Sequence, residues 1–98
     1  MRLSKVNEGE VMIMKEFQYT IKDPNGLHAR PAGLLVKEAQ KYQSSVKITK
    51  GEKSADLKRL FAVMGLNVKC GDTVTITADG PDEDQAMNTL KEFFMSNF

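Results

Sequence analysis

Cysteine and histidine are nearly missing from this sequence: Cys70 and His28 are the single examples of each. One thiol closes no internal disulfide, and a lone Cys with a lone His makes no metal-ligand set. Zinc and iron–sulfur chemistry are therefore not expected, and neither is any other metal or cofactor. Tryptophan is absent, and Phe, Tyr and Trp together supply 7% of the residues. A core must then be built mainly from aliphatic side chains and a few phenylalanines. No apolar run approaches the ~20 residues that cross a bilayer. The opening residues carry Glu8 and Glu10 and lack the apolar stretch of a signal peptide. Membrane insertion is not expected, and a cytoplasmic location is. The formal net charge is +1, which gives no electrostatic case for a nucleic-acid partner. A glycine-rich nucleotide loop and a nucleophile–base pair are also missing, which argues against a classical enzyme.

What is present is an ordinary soluble composition, 41% hydrophobic and 28% charged over 98 residues. That length implies one domain. A chain so short buries roughly 60–65% of its surface, so one core must use most of its apolar residues. Residues 1–13 are weakly patterned. They are read as an N-terminal arm, disordered or introduced by cloning, with Met14 as a candidate natural start and 14–98 as the domain.

Periodicity assigns the rest. Residues 15–22 alternate, with Phe17, Tyr19 and Ile21 to one side, as in a half-buried strand. Asp23-Pro24-Asn25-Gly26 then supplies turn chemistry. From Pro31 to Tyr42 the apolar residues Ala32, Leu35, Val36 and Ala39 recur at helical spacing, leaving Leu34 outside the stripe. Ser45–Thr49 alternates with Val46 and Ile48 inward, and Lys50-Gly51-Glu52-Lys53 reads as a hairpin turn into a short return strand at Ser54-Ala55. A second helix is expected over Leu57–Leu66. Its apolar residues surround the axis, so a small sheet cannot bury them all. Leu60, Phe61 and Met64 are candidates for an exposed binding surface. The competing reading is a fully buried core helix. Thr73–Ala78 is β-branched and alternating, the clearest strand. Asp79-Gly80-Pro81 opens the last helix, with Pro81 in its first turn and Asp82, Glu83 and Asp84 complementing its dipole. Met95–Phe98 is expected to fray. The order β-α-β-β-α-β-α predicts an α+β open-faced sandwich: a four-stranded, mostly antiparallel sheet with three helices on one face and solvent on the other.

Chemistry gathers in Gly26-Leu27-His28-Ala29-Arg30-Pro31-Ala32-Gly33. Proline is tolerated in a helix's first turn, so His28 should stand at or just before a helix N-terminus. Unpaired amides and the positive end of the macrodipole favour an anion there. Arg30 adds a guanidinium fork suited to phosphate oxygens. Imidazole is neutral and nucleophilic near neutral pH. The stretch therefore describes a histidine able to accept a phosphoryl group beside a phosphate cradle. Against this stands the commoner case, a lone His that is a surface residue or a local cap.

Gly26-Leu27-His28-Ala29-Arg30-Pro31-Ala32 resembles the active-site signature of HPr, the histidine-containing phosphocarrier family of the bacterial sugar phosphotransferase system. The resemblance runs from about Met14 to Met95 and includes Leu57-Lys58-Arg59-Leu60-Phe61-Ala62-Val63-Met64 at the family's second helix, Gly71-Asp72 before an alternating strand, and Asp79-Gly80-Pro81-Asp82-Glu83 before the closing helix. It implies a cytoplasmic phosphocarrier, a monomer with no turnover of its own. His28 would take a phosphoryl group on Nδ1 from phosphoenolpyruvate-charged enzyme I and pass it to sugar-specific IIA components. Arg30 and the amides of Ala29 and Arg30 would hold the phosphate, and Gly33, Leu34, Leu60, Phe61 and Met64 would form the docking face. Where many Gram-positive members carry a regulatory serine, this sequence has Arg59, so control by a serine kinase is expected to be absent. Two other readings remain open: a regulatory, nitrogen-related or specialised phosphotransferase paralogue, and an interaction module in which His28 is never phosphorylated.

Overall fold

The computed structural model describes residues 3–7, 10–13 and 15–98, with side chains from Lys15 onward. The first two segments, β1 (Leu3–Asn7) and β2 (Glu10–Ile13), pair as an antiparallel ribbon. The reading of 1–13 as an arm also rests on positions 1, 2, 8 and 9, and the candidate start on position 14, which lie outside the described residues. The domain that follows has the expected order: β3 (Lys15–Thr20), α1 (Ala29–Ala39), β4 (Ser45–Lys50), β5 (Lys53–Asp56), α2 (Leu60–Met64), β6 (Thr73–Asp79) and α3 (Glu83–Asn97). The sheet is antiparallel throughout, in the order β3-β6-β4-β5.

Register explains why this sheet has one dry face. Phe17, Ile76, Ile48 and Ala55 lie side by side across the four strands, with Tyr19 beside Val74 and Val46 beside Ala78. The opposite face carries Gln18, Thr75, Thr49 and Ser54 in one row and Glu16, Thr77, Lys47 and Asp56 in the next. A slip of one residue would exchange the two sets, so burial itself specifies the pairing. The helices close the apolar face. α3 lies on β3 and β6, and α1 packs against α2 and α3. Leu35, Leu57, Val63, Leu90 and Phe94 are fully buried between the layers. Phe94 meets the rings of Phe17, Tyr19 and Phe98 at centroid distances of 5.8, 5.7 and 5.3 Å.

Three local expectations give way. The second helix spans Leu60–Met64 rather than Leu57–Leu66. Asp56 holds the chain back at its start: its carboxylate accepts the Lys58 N–H and its carbonyl the Arg59 N–H, and Leu57 N–H donates to Val46 of the sheet. Pro81 stands outside α3, which is preceded by Asp82 as N-cap. The end of the chain is ordered: α3 runs to Asn97, Phe98 is buried, and its carbonyl accepts the amides of Lys22 and Asp23.

The acidic cluster at the start of α3 is tied down by donors. Asp82 accepts hydrogen bonds from the Ser44 hydroxyl and from the amides of Gln43 and Ser44. Glu83 accepts from Gly80 N–H, and Asp84 pairs with Lys15. The Ser44 hydroxyl, followed by the Gln43 amide, holds the Asp82 carboxyl below its ordinary value of 3.8. A carboxyl depressed on folding contributes stability above its unfolded value, and that contribution is lost as pH falls through the folded value. Urea unfolding followed from neutral pH to below 3.8 should therefore show an acid limb, and Asp82→Asn should flatten it.

Candidate functional site

The segment leaving β3 is pinned to two distant parts of the chain. Ile21 N–H donates to Asp72, Gly71 N–H to Ile21, and Leu27 N–H to Val68. Gly26 has φ +67°, and a Cβ on it would come within 2.5 Å of the Val68 carbonyl oxygen and 2.8 Å of Lys69 Cα. Only glycine allows so close an approach in the left-handed region. On the other side, Phe98 accepts from Lys22 and Asp23. The chain thus reaches His28 along a fixed path.

His28 is the N-cap of α1, in extended conformation (φ −89°, ψ 170°), and its side chain makes no capping bond. Its carbonyl accepts the first intrahelical bond, from Ala32 N–H. The preceding helical amides, those of Ala29 and Arg30, have no intrahelical acceptor, and Pro31 has no N–H to offer. The imidazole is half-buried, with Nε2 3.4 Å from Asp23 Oδ2. Arg30 is exposed, and its guanidinium makes no ion pair among the described residues. The arrangement presents a nucleophilic ring, two outward amides and a guanidinium within one turn of helix, fit to receive a tetrahedral dianion.

Beside it runs an open apolar groove of about 580 Å³ between α1 and α2, lined by Arg30, Gly33, Leu34, Val36, Lys37, Gln40 and Leu60. Leu34 is 53% exposed and Phe61 89%. Leu60 and Met64 are half-buried, so the fully buried reading of α2 is excluded. Two bonds through Lys58 fix the groove's far end: Gln40 Nε2 donates to the Lys58 carbonyl, and Lys58 Nζ to the Tyr42 carbonyl. Gly33 has open space where a Cβ would stand. Gly33→Ala should raise stability by about 0.5–1 kcal/mol through reduced backbone entropy in the unfolded chain, read by urea denaturation, while placing a methyl group in the groove.

Residues 15–96 match the family described as "PTS HPr component phosphorylation site". The chain belongs to the HPr phosphocarrier family. Among curated relatives, phosphocarrier protein HPr of Mycoplasma capricolum is 46% identical over 79 residues, covering 81% of this chain and 89% of the relative. The solved mycoplasma histidine-containing phosphocarrier protein superposes with a TM-score of 0.82 at 43% identity, covering 84% and 93% of the two chains. A solved HPr dimer from Thermoanaerobacter tengcongensis gives 0.68 at 38% identity, covering 85% and 95%.

On this HPr scaffold His28, Ala29 and Arg30 fall on one helix start, and Gly33, Leu34 and Leu60 on one groove, with Phe61 exposed on the same short helix as Leu60. Sequence reasoning passed over Asp23, Gln40 and Lys58. Asp23 carries the signature of an ordinary turn, and the Gln40–Lys58 clasp joins residues with no periodic relation.

Proposed function

We propose that this chain carries a phosphoryl group on His28, receiving it from enzyme I and passing it to sugar-specific IIA components in the cytoplasm, as a monomer without turnover of its own. The observation that carries this reading is the half-buried imidazole at the α1 N-cap, flanked by two amides without intrahelical acceptors and a guanidinium with no ion pair among the described residues. Phosphoryl transfer needs positioning and charge stabilisation more than elaborate covalent apparatus, and this helix start supplies both. Neutral imidazole is also a good leaving group, so the intermediate can be handed on. An open site suits a carrier, which must release what it binds.

Leu34, Leu60, Phe61 and Met64 are the proposed docking face, with Gly33 keeping the groove shallow. Phe61 is almost wholly exposed and touches little of its own fold, so Phe61→Ala should leave stability unchanged while weakening enzyme I binding at least tenfold by titration calorimetry. Arg59 occupies the position before α2, in extended conformation. It offers no hydroxyl, so we infer that serine-kinase control is absent.

The test is to incubate the protein with enzyme I, Mg²⁺ and phosphoenolpyruvate, measure intact mass, then add sugar IIA components. A gain of one acid-labile phosphoryl group that then passes to IIA supports the carrier. A gain that no sugar IIA accepts favours the regulatory paralogue. No gain by a folded sample overturns both and leaves an interaction module.

A further inference from the structure

We propose that Asp23 is the positioning residue of His28, fixing the imidazole tautomer so that Nδ1 presents its lone pair to the phosphoryl group. This rests on the carrier reading above. Asp23 Oδ2 lies 3.4 Å from His28 Nε2, and the two side chains are 23% and 39% exposed. The carboxylate does not drift. Its other oxygen accepts Asn25 N–H at 2.8 Å, its backbone N–H donates to the Phe98 carbonyl at 2.9 Å, and its carbonyl accepts Gly26 N–H at 2.8 Å. Asp23 is therefore held at three points before it meets the ring.

An ionised carboxylate only accepts hydrogen bonds. The ring nitrogen facing it must carry the proton, and the other nitrogen then carries the lone pair. Nδ1 has no hydrogen-bond partner among the described residues. In the transfer step the Nδ1 lone pair forms the N–P bond while the bond from phosphorus to its carrier atom on the donor breaks, that bond's electron pair leaving with the donor. The product ring is a phosphoimidazolium that retains the Nε2 proton, and its positive charge develops next to the Asp23 carboxylate. Onward transfer reverses this: the N–P pair returns to Nδ1 and the ring is neutral again. Asp23 touches neither the phosphoryl group nor its donor; it acts through His28.

The test uses the full chain with ¹⁵N-labelled histidine. Long-range proton–nitrogen spectra of the neutral ring give the ratio of Nε2–H to Nδ1–H tautomers, and enzyme I with phosphoenolpyruvate gives the initial rate of phosphoryl gain. Asp23→Ala should lower the tautomer ratio at least threefold and the rate about tenfold, as expected on losing a charge-assisted hydrogen bond. Asp23→Asn keeps a single acceptor oxygen, and with it on Asn25 N–H its amide NH2 faces Nε2 and favours a lone pair there. It should lower the tautomer ratio at least threefold and the rate with it, and it serves should Asp23→Ala fail to fold. A folded Asp23→Ala with wild-type ratio and rate overturns the proposal, as does an Asp23→Asn indistinguishable from wild type in both. If the wild-type chain accepts no phosphoryl group at all, the carrier reading falls, and the tautomer ratio still decides the Asp23–His28 contact.

Discussion

His28→Ala is expected to abolish phosphoryl gain altogether, with intact mass unchanged after incubation with enzyme I and phosphoenolpyruvate. The chain has no second imidazole to take over. The same variant should be as stable as the parent. The His28 side chain makes no capping bond, and its one polar contact among the described residues is the 3.4 Å approach to Asp23. Loss of function without loss of fold separates a nucleophile from a structural histidine. A His28→Ala protein that still gained an acid-labile phosphoryl group would move the acceptor elsewhere and sink the assignment.

Gly26→Ala is expected to produce a large loss of stability from a single added methyl group. The left-handed backbone costs a non-glycine residue about 1–2 kcal/mol. The new Cβ would also press on the Val68 carbonyl oxygen and Lys69 Cα, backbone atoms that cannot swing aside. Overpacking of that kind adds roughly 1–3 kcal/mol. A total near 3 kcal/mol corresponds to a fall in Tm on the order of 15 °C for a domain of this size. Calorimetry reads it directly. Relief of the clash would push Leu27 away from Val68 and carry His28 with it, so phosphoryl gain should slow even at temperatures where the protein stays folded.

Most of the architecture was legible because burial and periodicity agree. Val74, Ile76 and Ala78 alternate in sequence and are fully buried in the structure, and Ala32, Leu35, Val36 and Ala39 form the stripe their spacing predicts. The helix start at His28 followed from Pro31. What escaped was long-range. No local signal shows that Asp56 will delay α2, that Asp82 will turn back to Ser44, or that Phe98 will be buried and hold Lys22 and Asp23. The proposed docking surface was half legible. Too many apolar residues on one short helix implied exposure, but only packing decides that Phe61 is left outside and Val63 goes in. Asp23 shows the limit most sharply, since an Asp-Pro-Asn-Gly turn explains its presence fully without reference to the histidine.

The strand order β3-β6-β4-β5 has a consequence for how this chain reaches its native state. The strand paired on both sides within the sheet's first three is β6, which joins Lys15–Thr20 to Ser45–Lys50. Before Thr73–Asp79 is available, the β4–β5 hairpin is the one part of this four-stranded sheet that can form from local contacts. β3 meanwhile has no partner, and its apolar side chains wait for a segment far along the chain. Such non-local closure costs loop entropy before it returns any contact energy, which slows folding relative to helical domains of the same length. On the ribosome, the histidine loop can take shape only after nearly all of this sequence has emerged, because Val68, Asp72 and Phe98 are what it is built against.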